Sequence, residues 1–508
     1  MNAPAVPLRI GSATDLAALQ GLFTRAQFIE HELCTRLKIK FIHEVDTRRA
    51  RIRLAAFDAT DPQGVLARLF VLGTPVPAPV VDGAFEAAER EALFTTGLLD
   101  RLPAEDEGAI YCPLRLMPIT TRGRALRLAC DRQYGFDGQP IPVTVDVVFP
   151  PHSFLTRQFL SVLPQPAQGA VLDLCSGSGV AALLTGAGVS RVVAVDITTR
   201  STIFARFNAW VNGHTGLEAI EGDLYRPLGG EQFRWVLAHP PYVPTFRQTA
   251  IFRDGGELGD SIVRAIVEGL PSHLEVGGTL YMVCMGMDTS QGLFEERVRQ
   301  WMGDGRDAYD IIFATSKLRT AESLAEELAE GAINPAPDEQ ERRLALFQEH
   351  GVTAVVHGAV VARRLAEGTK GETHRVRVDT GTSAESFDWL FRWIAAGREP
   401  GFADRLLAST PTLHDGTTLD VRNVVERREV MPKAFTLGNN GRPFPAKIET
   451  DPWVVRLVMM LDGSVTLEQA LHRVHEAGYL PDGFHKSDAE RVIRYLIERG
   501  ILGLELPA

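Results

Sequence analysis

VLDLCSGSGVAALLTGAG, residues 171–188, runs from an apolar strand carrying Asp173 through a turn holding Cys175, Gly177 and Gly179 into a helical pattern. Glycines at a strand-to-helix turn let the backbone approach a ligand, and the free N–H groups at the helix start face it. By itself the turn is a weak signal, and it also reads as a structural connection, with Asp173, like Asp196 after the next strand, capping the following helix. The strands that follow narrow the choice. RVVAVDI ends on Asp196 and Ile197, LEAIEGD ends on Asp223 before Leu224, and FRWVLAH ends on His239. Four successive strands therefore deliver a polar side chain at their carboxyl ends, the edge at which open α/β sheets bind ligands.

Three further strand patterns, GGTLYMVCMG, YDIIFAT and TAVVHGAVVARRL, continue the alternation of strand and helix to about Leu365. Such alternation specifies a parallel sheet with crossover helices. The expected architecture is α/β, a seven-stranded doubly wound, Rossmann-like sheet in residues 151–365. Pro150, Pro151, Pro164 and Pro166 punctuate its start around one helix. Residues 1–150 mix helical periodicity with two short strand-like runs, AIYCPLRLMPI and RALRLAC, and read as an α+β or winged-helix-like accessory domain. Residues 366–508 read as a second accessory domain. Its end, with helices, an Asp-Gly turn and a terminal strand-like piece, has a winged-helix-like order.

The formal charge of −11 and the mixed-sign C-terminal segment argue against a chain that grips nucleic acid electrostatically. Cys34, Cys112, Cys130, Cys175 and Cys284 form no CxxC pair, so neither a metal site nor a disulfide framework is expected. No apolar run approaches the length of about 18 residues that a membrane span needs, and MNAPAVPLRIGSATDL lacks a basic start followed by an apolar core. The expectation is a cytoplasmic protein without a membrane partner.

DLCSGSG, AVDIT, FNAWVNG, EGDLYRPL, FRWVLAHPPYVP, FRDGGELGD and VGGTL, between Val171 and Met287, resemble the class I S-adenosylmethionine-dependent methyltransferases, in particular the HemK-like group of release-factor glutamine N-methyltransferases. The resemblance implies S-adenosylmethionine as cofactor. It implies that Asp173, Cys175, Gly177 and Gly179 lie beside its methionine part, that Asp196 with Ile197 holds the ribose, and that Asp223 with Leu224 meets the adenine. Cys175 stands where the family usually has glycine. The final segment is similar in pattern to PqqD-like peptide-binding modules. Its balanced charge disfavours a phosphate-binding face, which makes a peptide or protein acceptor more attractive than nucleic acid.

His239, Pro240, Pro241 and Tyr242 stand where the family usually has Asn-Pro-Pro-Tyr. There, the resemblance implies, the first proline carbonyl and the preceding side chain accept hydrogen bonds from the nitrogen to be methylated, and the tyrosine packs on the target. Histidine accepts one hydrogen bond when neutral but also titrates near neutrality, which asparagine does not. His239 therefore reads as a cofactor and acceptor neighbour in N-methylation of a peptide, protein or amine-bearing substrate, with Tyr242 beside it. It reads alternatively as the general base of a small-molecule O-methyltransferase. A nucleic-acid base methyltransferase and a non-catalytic scaffold remain further alternatives. Arg253 and Asp254 are expected at the substrate mouth, or as a loop-internal ion pair. His152 and Phe154 are candidates for covering the cofactor.

Overall fold

The computed structural model describes residues 5–45, 61–102, 108–136, 139, 141–142, 144–246, 250–330, 338–379, 381–439 and 443–504. The extreme start of the chain, part of the stretch read above for a leader, lies outside them. Helices α1 (Ala13–Arg25), α2 (Glu30–Leu37) and α3 (Ala87–Thr95) precede an antiparallel hairpin of β1 (Arg115–Thr121) and β2 (Arg124–Cys130). Helix α4 (Phe154–Val162) then leads into the sheet.

The sheet is built from β3 (Val171–Leu174), β4 (Val192–Asp196), β5 (Leu217–Glu221), β6 (Phe233–Ala238), β7 (Leu274–Thr289), β8 (Tyr309–Arg319), β9 (Val352–Arg364) and β10 (Thr373–Arg377). Their spatial order is β5-β4-β3-β6-β7-β9-β8-β10. All neighbours are parallel except β9, which runs antiparallel to both β7 and β8. The seven strands read from the sequence are present, and β10, from beyond residue 365, adds an eighth at the edge. Strand order reverses between β4 and β6 on either side of β3, which opens a crevice at the carboxyl ends of these strands. Helices α5 (Val180–Thr185), α6 (Thr199–Val211) and α7 (Ser261–His273) provide the crossovers around that point.

Alternation along the strands sends side chains to two separate cores. Leu172, Val193, Val195, Val236 and Phe313 pack with α7 on one face. Val171, Val192, Ala194, Leu237 and Ile312 join a core shared with the N-terminal helices and with Phe387, Trp393 and Ile497 of the C-terminal region. Both accessory regions thus cover the same face of the sheet.

The C-terminal region contains α8 (Ala384–Gly397), a three-stranded antiparallel sheet of β11 (Thr418–Glu426), β12 (Glu429–Asn439) and β13 (Ala446–Thr450), then α9 (Pro452–Val458), α10 (Leu467–Glu476) and α11 (Lys486–Glu498). Among the described residues, no helix is long and apolar enough to cross a membrane.

Two asparagines of FNAWVNG bolt the N-terminal hairpin to the sheet domain. Asn208 on α6 and Asn212, one turn further at its C-terminal cap, meet alternate residues of β2 on the edge away from β1. Asn208 Oδ1 accepts from Ala129 N at 2.7 Å while its Nδ2 donates to Ala129 O at 3.1 Å. Asn212 repeats the pattern on Arg127, at 2.9 and 2.8 Å. The two amides act as a substitute strand. Beside them Arg200 holds Asp131 through Nε and Nη2 at 2.7 and 2.6 Å, with both side chains buried.

Candidate active site

The Gly-rich turn takes its shape from three left-handed residues, Cys175 (φ 55°), Gly177 (φ 51°) and Gly179 (φ 74°). For Cys175 this conformation costs about 1–2 kcal/mol, a strain that persists where the surroundings enforce it. The two glycines do different work. A Cβ on Gly177 would meet nothing within 4 Å, whereas one on Gly179 would sit 3.0 Å from the Ala205 Cβ of α6. Gly177 keeps the turn open to the crevice, and Gly179 lets α5 lie close to α6.

Asp196 ties the next strand end to this turn. Its Oδ2 accepts from Gly177 N at 2.9 Å, and its Oδ1 accepts from Thr198 N and Oγ1 at 3.1 and 3.2 Å. Burial pushes its carboxyl upward against these bonds. Asp173 Oδ2 accepts from Ala182 N, in the first turn of α5, at 3.0 Å, so it does cap that helix. Burial raises Asp173 to about 7, against that bond and with a contribution from the Asp196 charge. Asp223 is more open and pairs with Arg226 at 3.1 Å, and Leu224 beside it takes a left-handed φ of 50°.

A cavity of about 490 Å³ lies over these strand ends. It is lined by Asp173, Cys175, Gly177, Asp196, Ile197, Asp223 and Leu224, and continues to His239, Pro240, Pro241, Tyr242, Arg253 and Asp254. The predicted site residues therefore come together in one space, with Gly179 set back from it. Two buried polar atoms on the lining, Ser176 Oγ and Asp146 Oδ1, have no hydrogen-bond partner among the described residues. Buried polar groups are ordinarily satisfied, so these two fit a ligand with polar ends. With the open Cβ position at Gly177 and the acids at three strand ends, the cavity fits S-adenosylmethionine.

Segment 151–159 covers the cavity, through Pro151, Ser153, Leu155, Thr156 and Phe159. Of the two residues singled out there from sequence, His152 is instead half-buried beside Arg115 and His43 of the N-terminal region. Burial, then the Arg115 charge, lowers it to about 3. Phe154 meets the His43 ring edge-on at 6.1 Å.

His239 is sandwiched between Phe159 and Tyr242, with ring centroids 5.1 and 5.8 Å away. Burial, with a smaller effect of His357, lowers it to about 4. A neutral imidazole accepts at one ring nitrogen. Val243 N donates to Arg253 O at 2.9 Å and Gly255 N to Val243 O at 3.0 Å, pinning the FRDGGELGD loop against the proline turn. Gly255 and Gly259 are needed there because a Cβ on either would overlap the Tyr242 backbone. Asp254 Oδ2 accepts from Ala250 N at 2.8 Å inside that loop.

Two neighbours escaped the sequence reading. Phe159 sits within an ordinary amphipathic helix, and His357 within an apolar strand whose run gave no hint of a polar role. Tyr242 Oη and His357 Nε2 are 3.3 Å apart.

Residues 154–303 match the family described as Methyltransferase small domain, and residues 46–108 match the Domain of unknown function (DUF7059). The chain is 31% identical over 175 residues to release factor glutamine methyltransferase of Geobacter sulfurreducens, covering 31% of this chain and 61% of that one. It is 31% identical over 157 residues to ribosomal protein uL3 glutamine methyltransferase of Bradyrhizobium diazoefficiens, covering 28% and 49%. The chain thus spans 61% and 49% of these two relatives' own lengths. Among solved structures, ribosomal protein L11 methylase from Lactobacillus delbrueckii subsp. bulgaricus aligns with a TM-score of 0.24 and 16% identity, over 41% of this chain and 77% of that one.

Proposed function

We infer the activity of this chain from its membership of the class I S-adenosylmethionine-dependent methyltransferases, HemK-like group. It transfers a methyl group to a side-chain nitrogen of a protein or peptide, with glutamine amides the first candidates because the curated relatives are glutamine methyltransferases. The observation that carries this reading is the continuity of one cavity from Gly177 and Asp196 to His239, Pro240 and Tyr242.

Asp196 and Asp223 are suited to hold the ribose and base of the cofactor, and the Gly177 turn to hold its methionine part. Ser176 Oγ and Asp146 Oδ1 offer polar atoms that have no partner among the described residues. When bound, S-adenosylmethionine supplies a sulfonium methyl group that a nitrogen lone pair can take directly. At the acceptor end, neutral His239 and the carbonyl of Pro240 are hydrogen-bond acceptors that would orient an N–H group. Orientation is the main help such a transfer needs. The low pKa of His239 weighs against the alternative in which it serves as general base near neutral pH, because catalytic bases work best with a pKa near the operating pH.

The test is calorimetric titration of the full chain with S-adenosylmethionine and S-adenosylhomocysteine. Transfer of labelled methyl to glutamine-containing peptides, a release factor and ribosomal protein uL3 follows. Micromolar cofactor binding and label on glutamine support the reading. Absence of cofactor binding overturns it, and label on oxygen replaces the nitrogen acceptor.

A further inference from the structure

Across the sheet from the cofactor turn, β8 carries an irregularity that the activity proposed above does not explain. Pairing between β8 and β9 passes from Thr315 opposite Gly358 directly to Lys317 opposite His357, so Ser316 is an extra residue in a β-bulge. Bulges re-aim side chains and cluster beside functional sites. Here the bulge brings Ser316 Oγ to 3.0 Å from His357 Nδ1 and also to 3.0 Å from the His357 carbonyl oxygen. The other ring nitrogen of His357 faces Tyr242 Oη at 3.3 Å, with the two rings edge-on at 5.5 Å.

The donors in this chain of contacts can be assigned from its ends. The His357 carbonyl can only accept, so the Ser316 hydroxyl donates its proton there. Ser316 Oγ is then the acceptor for His357, which places the imidazole proton on Nδ1. Nε2 is left as an acceptor, and the phenolic proton of Tyr242 points to it. His357 is 8% exposed. Burial, together with the Arg319 and Lys317 charges on β8, lowers it to about 4, so the ring is neutral and this assignment holds at physiological pH.

We propose that His357, locked by the bulged Ser316, is a positioning residue that turns the Tyr242 hydroxyl proton away from the cavity, so that Tyr242 meets the methyl acceptor only as a hydrogen-bond acceptor. With neutral His239 and the Pro240 carbonyl, the acceptor end of the cavity then presents three accepting atoms. That set selects a nitrogen carrying two N–H donors, a primary amide or amine, over a hydroxylate or carboxylate. The proposal rests on the methyltransferase reading for its substrate, but the proton arrangement is measurable without any acceptor.

The experiment uses the full chain with 15N-labelled histidine at pH 7, as wild type, His357→Gln, Tyr242→Phe and Ser316→Ala. The histidine signal missing from His357→Gln should be a neutral ring protonated at Nδ1, the less common tautomer. Its Nε2 resonance should shift in Tyr242→Phe, and its tautomer balance should change in Ser316→Ala. A ring protonated at Nε2, or an Nε2 resonance that ignores Tyr242→Phe, overturns the proposal. Calorimetry with S-adenosylmethionine on the same samples separates the two claims, since lost cofactor binding condemns the methyltransferase reading and leaves the tautomer result standing. With a glutamine peptide as acceptor, His357→Phe should lower kcat about tenfold at unchanged cofactor Kd, and His357→Gln, whose amide oxygen can still accept the phenolic proton, should recover most of it. Equal loss in both variants overturns the positioning role.

Discussion

Asp196 Oδ2 accepts the backbone N–H of Gly177 at 2.9 Å, so the acid at the end of β4 and the turn after β3 form one unit. Removing the carboxylate would release the turn and take away the ribose contact proposed for Asp196. Asp196→Ala should weaken S-adenosylmethionine binding by about 10- to 100-fold, the range expected for losing a charged hydrogen-bonding group. Calorimetric titration checks this. Unchanged affinity would mean that Asp196 only caps α6.

Gly177 and Gly179 make a paired prediction, because their added Cβ atoms meet open cavity in one case and Ala205 in the other. Both substitutions incur left-handed strain of about 1–2 kcal/mol. Gly177→Ala should lose cofactor affinity out of proportion to its stability loss. Gly179→Ala should lose stability further, since α5 and α6 must part by some tenths of an ångström, and should bind cofactor weakly only as the fold loosens. Denaturant unfolding and titration of both variants give the comparison.

The parts of this molecule that were legible in the sequence were those written in short-range pattern. Apolar strands with an acid or histidine at the carboxyl end, glycines after Asp173 and two prolines after His239 each carry a local meaning, and together they locate the cavity. What was not legible depends on distant pairings. His357 is 115 residues from Tyr242, and nothing in TAVVHGAVVARRL distinguishes a histidine that meets Tyr242 from a core one. The bulge at Ser316 depends on which residue of β9 lies opposite. Strand β10 is short and charged, THRVR, and sits beyond a turn-rich stretch, so only its docking on β8 reveals it. The Asn208 and Asn212 contacts likewise need the edge of β2 beside α6.

Asn208 is fully buried, with its amide bonded to Ala129 N, Ala129 O and Ser178 O at 2.7, 3.1 and 2.9 Å. It therefore joins the N-terminal hairpin to the Gly-rich turn. Asn208→Ala strands these backbone groups, each at a cost of about 1–3 kcal/mol when buried and unpaired. Denaturant unfolding should show a loss of several kcal/mol, and hydrogen exchange at Ala129 should accelerate. Asn212→Ala, at a half-buried position, should cost less.

His374 on β10 links the sheet edge to α11. Its Nε2 lies 3.2 Å from Glu372 and its Nδ1 3.6 Å from Glu498, which also accepts from Trp393 Nε1 at 3.3 Å. Burial pulls His374 down, but the bonds and charges of Glu372 and Glu498 outweigh it and raise it to about 9. A raised folded pKa stabilises the fold fully below the unfolded value of about 6.5 and loses that contribution as pH rises through about 9. Stability measured by denaturant should fall by up to about 3 kcal/mol between pH 6.5 and 10 from this group. In His374→Gln that slope should flatten. A wild-type profile that is level across this window would show that the two glutamates do not hold a charged ring.

His239 is lowered to about 4, so it is neutral throughout the physiological range. The rate of methyl transfer should therefore show no inflection from this residue between pH 6 and 8.5. His239→Asn keeps a hydrogen-bond acceptor near the same place, and should retain kcat within about tenfold. His239→Leu removes the acceptor and should lose about 10- to 100-fold, the range expected when a buried hydrogen-bonding group loses its partner. Steady-state kinetics on a glutamine peptide across that pH range distinguishes the two roles. A kcat that climbs through one ionisation near neutrality and disappears in His239→Asn would make His239 a base and move the acceptor from nitrogen to a hydroxyl.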